Sequence, residues 1–479
     1  MSCGRPHAAR RALRAAIVVA CGLVATACAG AAVAPSGLFL SPTGSDASNC
    51  TRAAPCASLQ RAYLLAKPGQ VVQLAGGVYP AQGLSAAPKS SSTHVVFEPA
   101  PGAAVSFAGR LALDGATHVT LSGFTLARTG PTDRSLFIAS CTSDITLDGL
   151  TGETFFIEEG TSQITFDGGS WGGYGTPGEQ DSAVGTSGAA GPANSCGGQL
   201  APPAHAILFD GVTFHDVFWG VPAASWGGSH PDCFEVNGYV DGLTVRNSHF
   251  MRCASTFMEI NPDQGDIANL TIENNTYTDL GPDSWYGITI SSGGIAGHCG
   301  NLVFRHNIYL PDNAGANTWP NGPVRTDCQP PPGASPVLIT DNVFARSPPA
   351  NECARYLAAP YVASWTDNLY ADGTCGSTAG RVPFGYTLGP SGLLAASPGA
   401  GAVQKLFAVA AKGTTAGLVA RALARAHTPA PPGRRWTAAL VRTLLSDPVY
   451  AGGVYGAPGA NPALVPRASW RAAQKVIAP

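Results

Sequence analysis

Charge is scarce in this chain: Asp, Glu, Lys and Arg together make up 12% of its 479 residues. Hydrophobic residues account for 45%, far more than an unfolded chain carries, so disorder is excluded as the overall state. No apolar run reaches the roughly 20 residues that a bilayer-spanning helix needs; the run from Ala15 to Ala27 falls well short. Cys-x-x-Cys spacing is absent throughout, which argues against a thiolate zinc site. Lysine is nearly missing from the body, with only Lys67 and Lys89 before Lys405. In contrast, there are 59 Gly and 39 Pro, the balance expected of many short strands joined by tight turns.

A short motif recurs through the middle: an aliphatic residue, often Thr, another apolar residue, a polar one, then Gly or Asn. It stands at Val119–Gly123, Ile145–Gly149, Ile164–Gly168, Ile207–Gly211, Leu243–Asn247 and Leu270–Asn274. Looser copies follow at Leu302–His306, Val337–Asp341 and Ala363–Asp367. Each reads as a strand with alternating burial, closed by a residue that tolerates a bend. No copy alone can bury its apolar face, so successive copies must stack into a solenoid.

Residues 1–34 read as an export signal: Arg5, Arg10, Arg11 and Arg14 precede the apolar run, and small residues follow it. Ala25-Thr26-Ala27-Cys28 loosely resembles a lipobox, so a membrane partner enters only if Cys28 is lipidated. Ten cysteines remain beyond the signal, an even set that reads as disulfides in an exported, secreted or cell-surface chain. Cys50 with Cys56, Cys299 with Cys328 and Cys353 with Cys375 are plausible neighbours, although spacing does not fix the connectivity. Charge divides the mature chain: residues 35–404 carry a net −15 and the segment from Lys405 onward a net +9. That asymmetry suggests two units of different origin.

Before the repeats, residues 35–80 read as a cap. Thr43-Gly44-Ser45-Asp46, Pro55-Cys56-Ala57-Ser58-Leu59-Gln60-Arg61-Ala62 and Gly69 to Tyr79 resemble the opening of exported right-handed parallel β-helix proteins of the pectate-lyase-like superfamily. The resemblance covers about 38–375. It implies an all-β fold with a right-handed parallel β-helix over 81–400, and the short helix started near Ser58 would plug its open end. For activity it is permissive, because that superfamily includes lyases, hydrolases, epimerases and surface proteins without catalysis. The Asn-Thr-Asp, paired-Asp and Gly-His-Gly signatures of polygalacturonases are missing, as is the Asp-Pro-His of alginate epimerases.

A second strand per coil is expected at Phe234–Asn237, Met258–Asn261 and Ile288–Ser291, aligned on inward Val236, Ile260 and Ile290. Outward Glu235 and Asn237 then neighbour Glu259 and Asn261, about 4.8 Å apart along the stack. Asp232, Asp263 and His230 flank the same patch. Asp232, Glu235, Glu259 and Asp263 suit Ca2+, which prefers oxygen ligands and would neutralise a uronate for β-elimination. Alternatively, such carboxylates act as acid and nucleophile or base in glycoside hydrolysis. Arg325 falls on the same face and is the candidate base, with Glu235 and Glu259 the other catalytic candidates. His230, Asn237, Asn261, Trp285 and Tyr286 are candidate substrate contacts, and Trp171, Trp219 and Trp226 further ones for stacking on sugar rings. Glycine- and serine-rich 172–203 reads as a long loop. Against all this stands a plain solvated face, weighed with the fact that stacked acids repel.

The last segment, 401–479, reads as a small basic α-helical unit with helices over 417–426 and 437–445. Trp436 to Gly452, Val454-Tyr455-Gly456, Pro462–Val465, Ser469-Trp470 and Gln474-Lys475-Val476 resemble the recombinase domain of large serine recombinases, over about 413–479. In that family the module binds DNA, which places Arg434, Arg435 and Arg442 as candidate phosphate contacts. The family's catalytic serine domain has no counterpart, so recombination is not expected. The expectation is an exported monomer that acts on or binds an acidic polysaccharide or other cell-surface polymer, best read as Ca2+-assisted β-elimination. A non-catalytic adhesion module is the alternative. A DNA-associated protein, touching nucleic acid only through the tail, is the third reading.

Overall fold

The computed structural model describes residues 37–130, 133–175, 182–185, 194–225, 231–281, 287–290, 297–309, 324–326, 328–335, 337–344, 362–366, 368–370, 383–388, 394–452 and 462–476. All nine motif copies fall on one parallel sheet, which runs from Leu38–Leu40 through Val71–Leu74 and Val95–Pro99 up to Val362–Thr366. Its register is unbroken along Val119, Ile145, Ile164, Ile207, Leu243 and Leu270, each opposite the next and each buried. Side chains on alternate positions therefore point into the coil, and burial of that aliphatic column keeps the rungs in step.

Eight of the nine motif copies end on a left-handed residue, at Gly123, Gly149, Gly168, Gly211, Asn247, Asn274, His306 and Asp341, while Asp367 of the ninth lies outside the described residues. Glycine, asparagine and aspartate accept that conformation most cheaply. The chain then turns into a second parallel sheet that supplies two further faces. One is built of strands such as Thr213–Val217, His249–Cys253 and Thr276–Leu280, the other of Phe155–Glu158, Ala183–Gly185, Glu235–Asn237 and Met258–Asn261. Three strands per turn, all parallel, make this a right-handed β-helix.

Just past the bend, buried Asn275, Asn307, Asn342 and Asn368 form a ladder. Backbone N–H groups of Asn275, Asn307 and Asn342 donate to the Oδ1 of the next member at 2.9–3.0 Å. The side-chain amides of Asn307, Asn342 and Asn368 donate to the carbonyls of Ile272, Phe304 and Ile339. Backbone groups that the turn removes from the sheets are thereby satisfied without water. Inside, Phe214, Phe250, Tyr277, Tyr309 and Phe344 stack coil on coil, with centroids 4.5–5.0 Å apart.

The cap departs from expectation in one respect. Helix Leu59–Leu65 starts at Ser58, whose side chain accepts from Arg61 N, and it buries Leu59, Ala62 and Tyr63. However, Leu38–Leu40 and Val71–Leu74 are themselves rungs of the first sheet, so the coil begins inside the region read as cap. The region read as one long loop, 172–203, also holds a rung, Ala183–Gly185, and Cys196, which is bonded to Cys141. Disulfides Cys50–Cys56, Cys233–Cys253 and Cys299–Cys328 are present as well. Cys353 and Cys375 lie outside the described residues.

The helical unit begins earlier than the strand signals suggest. A hairpin, Tyr386–Leu388 with Leu394–Ala396, precedes helices Ala400–Ala410, Ala416–Arg425, Ala438–Ser446 and Arg467–Ala473. Thr415 and Thr437 cap the middle two, accepting from Leu418 N and Leu440 N. Their apolar faces form a second core around Val403, Leu406, Phe407, Val419, Leu423, Val441, Leu445 and Tyr450. Ile308, a coil residue, belongs to this same cluster. Coil and helices lie within one compact unit that starts at Gly37. No helix among the described residues is long and apolar enough to cross a membrane.

Candidate functional site

The third face of the coil carries the acids. Val184, Val236, Ile260 and Ile290 point inward in line, so the residues beside them point out. One outward column reads Phe156, Ala183, Glu235, Glu259, Thr289 and Arg325. The parallel column reads Glu158, Gly185, Asn237 and Asn261. Glu235 and Glu259 are thus direct neighbours on successive coils. Arg325 is placed two rungs beyond Glu259, although its side chain lies outside the described residues.

The pair is not an open, solvated surface. Ala183 below it and Thr289 above it are buried, and the two glutamates are only partly exposed. Burial drives the Glu235 carboxyl up and Glu259 adds repulsion. Arg134 pulls back, Asp263 pushes up again, and the group settles at about 7. Arg134 was not singled out from the sequence. Its guanidinium lies 5.0 Å from the Phe156 ring centre and donates to the Phe155 carbonyl at 3.1 Å, at the near end of the acidic column. Glu158, on the adjacent column, is also raised by burial, although the N–H of Ser140 donates to it at 3.1 Å. The coil period was the only signal that could have joined Arg134 and Glu158 to the glutamates.

The remaining candidates divide. Asp263 sits in the turn Pro262–Gln264, and its buried Oδ1 has no hydrogen-bond partner. Asn261 accepts from Asp263 N at 3.0 Å, so part of its capacity is spent capping that turn. Asp232 does not reach the face as expected of a ligand: it is 1% exposed, and its Oδ1 accepts from Thr256 N at 2.8 Å and Thr256 Oγ1 at 2.7 Å. It fastens one coil to the next. Trp171 is core, packed against Phe155 and Phe166, while Trp219 is 37% exposed. His230, Trp226, Trp285 and Tyr286 lie outside the described residues.

For Ca2+ the donor chemistry fits in kind, with hard oxygens, clustered negative charge and an orphaned carboxyl oxygen at Asp263. Among the described residues, however, Asp232, Glu235, Glu259 and Asp263 do not bring three carboxyl oxygens within 4.8 Å of one another.

In the helical unit, Arg421, Arg434, Arg435 and Arg442 are exposed. A cavity of about 520 Å3 lies beside Arg434, Leu440, Leu444 and Asp447, with Asp341 of the coil on its wall. Burial raises Asp447 to about 6.

Residues 399–479 match the family model described as Recombinase. The match starts 14 residues before the resemblance read from the sequence and includes helix Ala400–Ala410. No curated protein matches the chain. Among solved structures, a rhamnogalacturonan lyase aligns at 12% identity and a TM-score of 0.36, over 64% of this chain and 87% of that one. ORF18 of Geobacillus virus E2 aligns at 12% identity and a TM-score of 0.30, over 58% and 54%. The pectate lyase Pel9A aligns at 13% identity and a TM-score of 0.24, over 60% and 83%. The β-helix assignment rests on the register above, independently of these likenesses.

Proposed function

We propose that the protein is exported and that its Glu235–Glu259 face binds and cleaves an acidic polysaccharide by cation-assisted β-elimination. The observation that carries this reading is the in-register glutamate pair, enclosed enough to bring Glu235 to about 7. A carboxyl with that affinity exchanges protons near neutral pH, as a general base or acid must. Glu235 takes the proton from the sugar carbon next to the uronate carboxyl, and Glu259 keeps the pair's charge high enough to hold a cation. Arg134, at the near end, faces the anionic polymer, and Arg325 stands in line at the far end. A uronate chain would be repelled by Glu235, Glu259 and Asp263 together, so a divalent cation is needed for approach. Bound Ca2+ would neutralise the substrate carboxyl and acidify the neighbouring proton.

A second reading, hydrolysis, is favoured by the same adjacency. Carboxyls on neighbouring rungs stand near the roughly 5 Å separation of retaining glycosidases. The products separate the two: elimination leaves an unsaturated, ultraviolet-absorbing end, whereas hydrolysis leaves only new reducing ends. Purified protein should produce the absorbing product from uronate polymers with Ca2+ and lose that activity in chelator. Binding without either product would convert the reading to an adhesion module. The leader-like N-terminus and the four disulfides among the described residues support export, and the exposed arginines of the helical unit supply a weaker second contact for anionic polymer or nucleic acid.

A further inference from the structure

At the start of the first sheet, three successive coils place His94, His118 and Asp144 side by side. The register Val95–Val119–Ile145 puts the residue before each in line. His118 and Asp144 are left-handed, with φ of 57° and 55°. The Asp144 carboxylate lies between the imidazoles: Oδ1 is 3.0 Å from His94 Nε2 and Oδ2 is 2.5 Å from His118 Nδ1. One ligand atom from each residue lies within 4.8 Å of the others, and all three side chains are partly buried. The other nitrogen of His94, Nδ1, is 2.9 Å from Thr120 Oγ1.

We propose that His94, His118 and Asp144 form a binding site for a divalent transition metal of the Zn2+ class, clamping the first coils together. Two imidazole nitrogens and one carboxylate oxygen are a borderline donor set that suits Zn2+ and disfavours Ca2+. Ligand atoms around a tetrahedral ion bound at about 2.0–2.1 Å lie roughly 3.3 Å apart, and the two imidazoles contact different oxygens of Asp144, so binding requires the carboxylate to turn one oxygen toward both rings. Thr120 serves as the outer partner that fixes the His94 ring with Nε2 inward, the arrangement typical of metal-bound histidine. Three protein ligands leave a position for water. Helix Leu59–Leu65 anchors the adjoining coil through Tyr63, whose hydroxyl donates to the Thr117 carbonyl at 2.6 Å. The clamp therefore sits beside the cap, where the solenoid's free edge must be held. The His298–Asp266 pair, at 3.0 Å, has no second imidazole among the described residues and is the natural control.

The test is titration of chelator-treated, tag-free full chain with Zn2+ by calorimetry, repeated with Co2+ by visible absorption and with Ca2+. One strong site per chain is expected, with a higher Tm on addition of Zn2+, a d–d spectrum with Co2+ and no Ca2+ binding at these residues. His118→Ala and His94→Ala should each weaken Zn2+ binding by at least roughly tenfold and abolish the Tm rise. Thr120→Val should weaken binding by about tenfold, and His298→Ala should change nothing. If one of the two histidine variants fails to fold, the other decides. Zn2+ binding that survives both histidine changes, or no binding above buffer controls, overturns the site and leaves only hydrogen-bonded His–Asp pairs.

Discussion

On the first sheet, the outward rungs from Asp210 upward alternate in sign. Arg246 Nη2 lies 2.8 Å from Asp210, Glu273 follows on the next coil, and Arg305 Nη2 lies 2.7 Å from Glu273. On the neighbouring face Arg252 is likewise set between Asp216 and Asp279. The Glu235–Glu259 column breaks this habit. Stacking of acids alone does not set it apart, since Asp148, Asp167 and Asp210 also follow one another. Those acids stand at strand ends, Asp167 is exposed, and Ser122 Oγ donates to Asp148 at 2.9 Å. Glu235 is enclosed as well as stacked. Repulsion combined with burial costs folding free energy, and that combination supports the proposal that this face serves chemistry.

Several changes would break or sharpen the contrast, and the largest effect falls on turnover. Glu235→Gln should reduce cleavage of the responsive uronate polymer by about 100-fold or more, the usual contribution of a general acid or base. Intact turnover in that variant would remove the site assignment. Next in size is a structural control beneath the acids: Ile260→Ala, in the fully buried inner column, should cost about 2–5 kcal/mol in denaturant unfolding.

Glu259→Arg would convert the column to the alternating rule. It should lower the Glu235 proton affinity, raise Tm at neutral pH and abolish cleavage. A parallel test is pH. Glu235 is raised from 4.5 to about 7, so between those values the folded chain keeps a proton that the unfolded chain has lost. Stability should therefore fall as pH rises from 4.5 to 7, and Glu235→Gln should flatten that slope in a Tm series. Asp447, raised from 3.8 to about 6, contributes a fall of the same sign over that lower range and serves as the background variant. The smallest effect belongs to the paired rungs: Arg246→Ala should cost no more than about 1 kcal/mol, less in high salt.

Much of the fold was legible because the coil repeats its own chemistry. The inward aliphatics fixed register across nine rungs, and the alignment of Glu235 with Glu259 followed from Val236 and Ile260 alone. Arg325 also fell in line with them. What the sequence hid were contacts between residues a coil apart but lacking a shared motif. Arg134 reaches the acidic column through its stack on Phe156, and His94, His118 and Asp144 meet only because the coil lengths agree. Asp232 looked available because a carboxylate beside Cys233 gives no hint that Thr256 claims it. Trp171 looked like a sugar platform, yet its ring fills the interior beside Phe155. The hairpin at Tyr386 escaped notice because two three-residue strands carry little periodicity.

Ile308 links the coil to the helical core, and this has a consequence for dividing the chain. The module that matches the Recombinase family model shares its apolar interior with the coil through Ile308. Cutting the gene at the family boundary would therefore expose apolar surface on both pieces.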